Sequence, residues 1–180
     1  YPRLEALLGA IARNDKESFI PELIYVRWSA FKDDSMGIAV GVPQRTEDHT
    51  ALTLAARLGN AGAVKALLRA DFSPFGKNRE ADAPLHIIAR SGRRDLVRVF
   101  MEGCPHSKWH ELAREKNGAG RSPGVEALYH GDMKTFNAIA EYGFVRIGKE
   151  IVRNDAITQD DIRHAEIYAR ANPKDKAAQV

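Results

Sequence analysis

Apolar residues in the middle of the chain recur at helical rather than strand spacing. Val64, Leu67 and Leu68 fall at i, i+3 and i+4, and Leu52, Ala55 and Ala56 repeat that spacing upstream, so each stretch reads as one buried helix face. Gly59 separates the two, and a glycine there suits the left-handed backbone that ends a helix. The small side chains of Ala55 and Ala56 let a neighbouring helix approach closely. Each stretch is about ten residues, short of the ~12–15 at which an isolated helix holds in water, so the pair needs neighbours to stack on.

The pattern returns at a fixed step. Thr50 to Gly59, with Val64 and Leu67-Leu68, matches Ala83 to Gly92, with Val97 and Phe100-Met101, at a constant offset of 33. Leu52 falls on Leu85, Ala56 on Ala89, Gly59 on Gly92 and Ala70 on Gly103. A weaker copy runs from Ser122 to Gly131 and on through Phe136, Ile139 and Ala140, at an offset of 39; its six extra residues fall between Cys104 and Arg121. The faintest copy leads the others by 44: Ala6, Leu8, Ile11-Ala12, Ile20 and Leu23-Ile24. Helix pairs at such a period predict a stacked, solenoidal fold.

The stretch Ala83-Pro84-Leu85-His86-Ile87-Ile88-Ala89, at a 33-residue period, resembles the ankyrin repeat, whose signature is Thr-Pro-Leu-His-x-Ala. The strong resemblance covers residues 46–103 and the weaker copies extend it to about 6–143. It implies an all-α, ankyrin-type helical repeat solenoid with a C-terminal capping helix, forming a single domain over 1–180. The repeat-like units are expected at about 4–24, 46–76, 79–104 and 118–144, with insertions at 25–45 and 105–117. The copies depart from the family's pattern. Thr50 pairs with Thr53, Ala83 with His86 and Ser122 with Val125, so no copy keeps both the Thr and the His, and Gly124 replaces the leucine of the third copy. The array is therefore divergent and short.

The remaining segments read more simply. Thr158 as N-cap with Asp161 at N3, followed by Ile162, Ala165, Ile167 and Ala169, predicts a helix over about 158–172 that stops before Pro173. Lys174 to Val180 are expected to fray. In the 25–45 insertion, Trp28 and Phe31 precede an apolar run in which Ile38, Val40 and Val42 alternate with small residues, the pattern of a short strand or an extended loop.

Composition narrows the class. With 44% apolar and 28% charged residues and a net charge of +3, the chain lies in the globular range, and its charge alone does not argue for nucleic acid. Its single cysteine, Cys104, excludes a disulfide scaffold and fits a reducing, intracellular and cytoplasmic setting. No stretch approaches the ~20 apolar residues of a membrane span.

The chemistry-bearing motifs are sparse. Cys104, His106 and His110 make an incomplete metal-ligand set, and the plainer reading puts them in the inserted loop and the start of a helix, with Trp109 covering the adjoining repeat. Cys104 lacks the base and orienting group of a nucleophile. His86 sits at the family's signature histidine, which implies a turn-closing role. Gly118-Ala119-Gly120 has no downstream phosphate-loop residues, and no acidic pair marks acid–base catalysis. No catalytic residue, metal or cofactor is expected.

The most informative column follows the small residues of each first helix: Arg13, Arg57, Arg90 and Tyr129. By resemblance these side chains border a concave groove, spaced by about one helix diameter, ~10 Å. Arg and Tyr are enriched at interface hot spots, while arginines at helix ends also read as a solvated face. Arg93, Arg94 and Arg98 add to Arg90, and this cluster reads either as a grip on a carboxylate-rich peptide or a phosphate, or as solvated surface. The loop tips, with His49, Asp82 and Arg121, are contact candidates by resemblance. The expected function is a non-catalytic module that binds a partner protein, favouring an acidic segment, with no small-molecule substrate. Two alternatives remain: the ankyrin part of a larger enzyme or secreted bacterial effector, which the missing initiator Met would suit, and, less favoured, a nucleic-acid binder.

Overall fold

A computed structural model describes residues 50–142 and 158–173, the backbone of 144–147 and 150–153, and Ala6, Gly9, Ala10 and Arg13. His49, most of the leading copy, the 25–45 insertion and Lys174 to Val180 lie outside the described residues. Ala6, Gly9, Ala10 and Arg13 are helical, and Ala10 is fully buried against the core.

Three helix pairs follow one another: α1 (Ala51–Leu58) and α2 (Ala61–Arg69), α3 (Pro84–Arg90) and α4 (Arg94–Glu102), then α6 (Pro123–Tyr129) and α7 (Met133–Glu141). Between the second and third pairs, a short 3-10 turn, His106–Lys108, leads into α5 (Trp109–Arg114). The chain ends with α8 (Gln159–Ala171). First helices stack on first helices, α1 on α3 on α6 on α8, and second helices on second helices, α2 on α4 on α7. The result is two helical layers with the core between them.

Local sequence explains where the first helices start and stop. Gly59, Gly92 and Gly131, the three glycines of the repeat, all have positive φ, at 67°, 68° and 77°. Each first helix starts with its own version of a cap. Thr50 and Thr53 bond reciprocally, with the Thr53 N–H donating to Thr50 Oγ1 at 3.1 Å and the Thr50 N–H to Thr53 Oγ1 at 2.7 Å. Ala83 has no side-chain acceptor, so its N–H donates to His86 Nδ1 at 3.2 Å, and Ser122 Oγ accepts from the Val125 N–H at 3.3 Å. No copy keeps both family residues, yet each keeps a cap.

Packing follows from the small-and-large alternation. Ala55, Ala56 and Ala89 are fully buried, and Leu52, Leu67, Leu85, Ile88, Leu96 and Phe100 fill the space between the layers. Each such large side chain stabilises the stack by roughly 1.5–3 kcal/mol. Gly124 replaces a leucine because the Phe136 ring already lies 3.2 Å from where a Cβ would be. The third unit therefore stacks normally.

Two features extend the expected architecture. A short antiparallel hairpin, β1 (Phe144–Ile147) with β2 (Glu150–Arg153), precedes α8 and pairs Phe144 with Arg153 and Ile147 with Glu150. Eight backbone positions thus depart from a purely helical reading. Helix α8 starts as expected: the Thr158 N–H donates to Asp161 Oδ2 at 2.7 Å and the Asp161 N–H to Thr158 Oγ1 at 3.2 Å. Asp161, buried, also accepts from the Ser122 hydroxyl, which ties α8 to the start of α6.

Candidate functional site

The loops leading into α3 and α6 share one geometry. Asn78 Oδ1 accepts from the N–H groups of Glu80 and Asp82 at 3.0 and 2.8 Å, and Asn117 Oδ1 accepts from those of Ala119 and Arg121 at 3.0 Å each. The left-handed residue falls at the same place in each, Ala81 at φ 59° and Gly120 at φ 74°. His86, in the first turn of α3, ties the base of the first finger to the carbonyls on either side of the second. Its neutral ring accepts at Nδ1, which leaves Nε2–H facing the carbonyls of Glu115 and Arg121, each at 3.0 Å. Burial holds its pKa below the ordinary histidine value despite those carbonyls. The turn-closing role implied for His86 is what its bonds describe.

A cleft of about 340 Å³ opens between the first finger and the helix ends, lined by Arg57, Asn78, Glu80, Ile87, Arg90 and Ser91. It brings together two members of the arginine column, from successive repeats. Behind it lies a charged network that the sequence does not announce. Arg90 Nη2 donates to Asp82 Oδ2 at 2.7 Å and Arg90 Nε to Glu126 Oε1 at 3.0 Å. Arg121 Nε donates to Glu126 Oε2 at 2.7 Å, and Asn117 Nδ2 bridges Asp82 Oδ1 and Glu126 Oε2 at 2.9 and 3.1 Å. Glu126 is fully buried. Burial alone would raise its pKa, but hydrogen bonds and charge from Arg121 and Arg90 outweigh this and hold it below the ordinary carboxylate value.

This network corrects several expectations. Asp82 is not an exposed finger tip: it is 1% exposed, and the exposed residues of that loop are Arg79 and Glu80. Arg90 is not simply a solvated or free cation, since two buried carboxylates balance it, although its side chain remains 38% exposed at the cleft. Arg121 is committed to Glu126, and its guanidinium sits 4.2 Å from the centre of the Tyr129 ring. Tyr129 is 69% exposed, the most exposed large hydrophobic side chain among the described residues.

The other candidates spread out. Arg93 Nη1 donates to the carbonyl of Gly59 at 3.1 Å, which places it beside the end of α1 near Arg57. Arg94 and Arg98 lie elsewhere, in a separate cleft of about 620 Å³ between α4 and α7 shared with Lys134 and Tyr142. The arginine cluster around Arg90 is thus split between two surfaces. Arg13 is exposed on the leading helix.

Glu126 is the residue that sequence reasoning missed. Its signal was a charge in an apolar column: positions 54 and 87, at the repeat offsets, hold Leu54 and Ile87. The Cys104 region behaves as core. Burial pushes the thiol up to about 12, and Trp109 Nε1 donates to the Met101 carbonyl at 2.8 Å while its ring meets Tyr142 edge-on at 4.8 Å. Among the described residues, no group of three or more His, Cys, Asp or Glu side chains is placed to hold a metal, and no helix is long and apolar enough to cross a membrane.

Paired helices, positive-φ glycines at each turn and finger loops clamped by a histidine define a helical repeat protein. A family model of ankyrin repeats in three copies matches residues 7–108, more than half of the chain, and the chain belongs to the ankyrin-repeat family. The matched range takes in the faint leading copy and ends before α6 and α7, whose stacking extends the array. Ankyrin repeats are generally protein–protein interaction modules and typically non-catalytic. No curated protein matches the chain.

Proposed function

We propose that this chain is a recognition module, stacked as one domain, that binds a protein segment across the ends of α1, α3 and α6. The observation that carries the reading is the cleft combining Arg57 and Arg90 with the finger residues Asn78 and Glu80 over the apolar side chain of Ile87. It offers charge, hydrogen-bonding groups and an apolar floor in one place, the mixture that protein interfaces use. Tyr129 continues the surface onto the third repeat. An acidic residue of the partner is favoured at the Arg57 end, because Arg93 bonds there to a carbonyl, which leaves its positive charge unbalanced by that contact.

The test is affinity capture from cell extract by the intact chain, beside an Arg57→Glu, Tyr129→Ala double variant whose helicity is checked by circular dichroism. Both residues are exposed, so the fold should survive the changes. A protein retained by the parent and lost by the variant is the expected result. Equal retention by both would move the site off this face.

A further inference from the structure

The surface on the finger side runs from the end of α1 to the α3–α6 pair. At the α1 end, Arg57 and Arg93 contribute positive charge. At the α3–α6 end, the buried carboxylates of Asp82 and Glu126 face the guanidiniums of Arg90 and Arg121, and His130 Nε2 lies 3.3 Å from Glu126 Oε1 as a further basic group. We propose that this second end is a charge-balanced recognition element, positioned by Glu126, that takes neutral hydrogen-bond acceptors and an apolar or aromatic side chain of the partner segment rather than its acidic residues. The inference rests on the protein-binding reading given above and specifies the chemistry of one half of that site.

The donor arithmetic supports it. A guanidinium has five N–H donors. Arg90 commits Nε–H to Glu126 and one Nη2–H to Asp82, which leaves three N–H for a side chain that is 38% exposed at the cleft. Main-chain carbonyls, amides and hydroxyls satisfy such donors without bringing charge. A carboxylate there would approach the buried carboxylates of Asp82 and Glu126 and the Glu80 side chain of the cleft, whose repulsion offsets part of the attraction of the guanidinium.

Glu126 also sets the geometry. One oxygen holds Arg90 and has His130 Nε2 at 3.3 Å, the other accepts from Arg121 and Asn117, and Arg121 lies over Tyr129. A single buried side chain thus fixes three surface residues contributed by α3, the second finger and α6. Tyr129, steadied on the face that Arg121 covers and still 69% exposed, offers the apolar contact.

The test pans a random-peptide display library against the intact chain and against Glu126→Gln and Asp82→Asn, each of which removes one buried negative charge. The informative peptides lose about tenfold affinity on Tyr129→Ala and are unaffected by Arg57→Glu. In the parent, these peptides should show no enrichment of Asp or Glu over the library. In either variant, Asp and Glu should become enriched severalfold. The inference is overturned by acid-rich peptides in the parent, or by unchanged selection in variants whose helicity is intact. Binders that depend on Arg57 but never on Tyr129 would overturn it while leaving the protein-binding reading in place. Binders that depend on neither residue would remove that reading as well.

Discussion

Replacing Glu126 by Gln keeps the shape of the side chain and removes one buried charge. In the parent its two oxygens accept from Arg90 Nε at 3.0 Å and from Arg121 Nε at 2.7 Å. Hydrogen bonds to charged groups contribute roughly 1.5–3 kcal/mol each. The glutamine oxygen can replace one of these with a weaker, uncharged bond, while its amide N–H₂ then faces the other guanidinium. Part of the loss is offset by water, because the Arg90 and Arg121 side chains are 38% and 28% exposed and Arg90 retains Asp82. The net destabilisation should be about 2–4 kcal/mol, on the order of 10 °C in melting temperature for a chain of this size. Thermal melts at neutral pH measure it, with Arg98→Ala as the control: Arg98 meets Glu102 at 3.9 Å on the open surface, where a pair contributes about 0–1 kcal/mol.

The pH profile gives an independent check. Because the folded pKa of Glu126 lies below the ordinary carboxylate value, its contribution is present above that ordinary value and is lost as pH falls through the folded one. That part of the acid slope should be missing in Glu126→Gln. A variant that melts with the Arg98→Ala control, and with the parent's acid slope, would refute the network.

Other outcomes follow from the same structure. His86 is buried and its pKa is lowered, so the folded form resists the proton; stability should be full above the ordinary histidine pKa of about 6.5 and fall as pH drops below it, a component that urea titrations between pH 7 and 5 should show reduced in His86→Gln. Cys104, buried with its thiol pushed up to about 12, should resist Ellman's reagent in the native protein and react on unfolding; fast native labelling would contradict its burial. Gly59→Ala and Gly131→Ala both place a side chain at positive φ, at about 1–2 kcal/mol each, but only at Gly59 does the new Cβ meet the Arg93 guanidinium. That guanidinium ends a flexible side chain and can swing aside, so by denaturant titration the Gly59 variant should fall below the Gly131 variant only by the lost Arg93 bond to the Gly59 carbonyl, a difference that Arg93→Ala removes. Thr158→Ala should cost about 0.5–2 kcal/mol through the cap of α8, read as a lower urea midpoint.

The stacked helices were legible because their causes are local and repeat. The glycine cadence at 59, 92 and 131 needs only the preference of glycine for positive φ, and Thr158 with Asp161 is a contact three residues apart. The hairpin before α8 has a weaker local signal: only Phe144-Val145, Ile147 and Ile151-Val152 favour a strand, and the charges of Arg146, Glu150 and Arg153 dilute the pattern. Charge placement was the least legible part. Asp82 resembles any acidic loop residue until Asn117, 35 positions away, and Arg90 are folded against it. The same network alters which substitutions probe binding. Arg90→Glu would set a third carboxylate against Asp82 and Glu126 and disrupt the stack, so Arg57 and Tyr129 are the residues to change.

The central claim is that a protein segment is recognised on the surface from Arg57 to Tyr129. The most direct measurement takes a peptide selected by the intact chain and titrates it against the parent, against Arg57→Glu with Tyr129→Ala, and against Arg94→Glu with Lys134→Glu in the separate cleft between α4 and α7. The account predicts at least about a tenfold loss of affinity for the first variant and parental affinity for the second. The reverse pattern would place recognition on the α4–α7 face and contradict it.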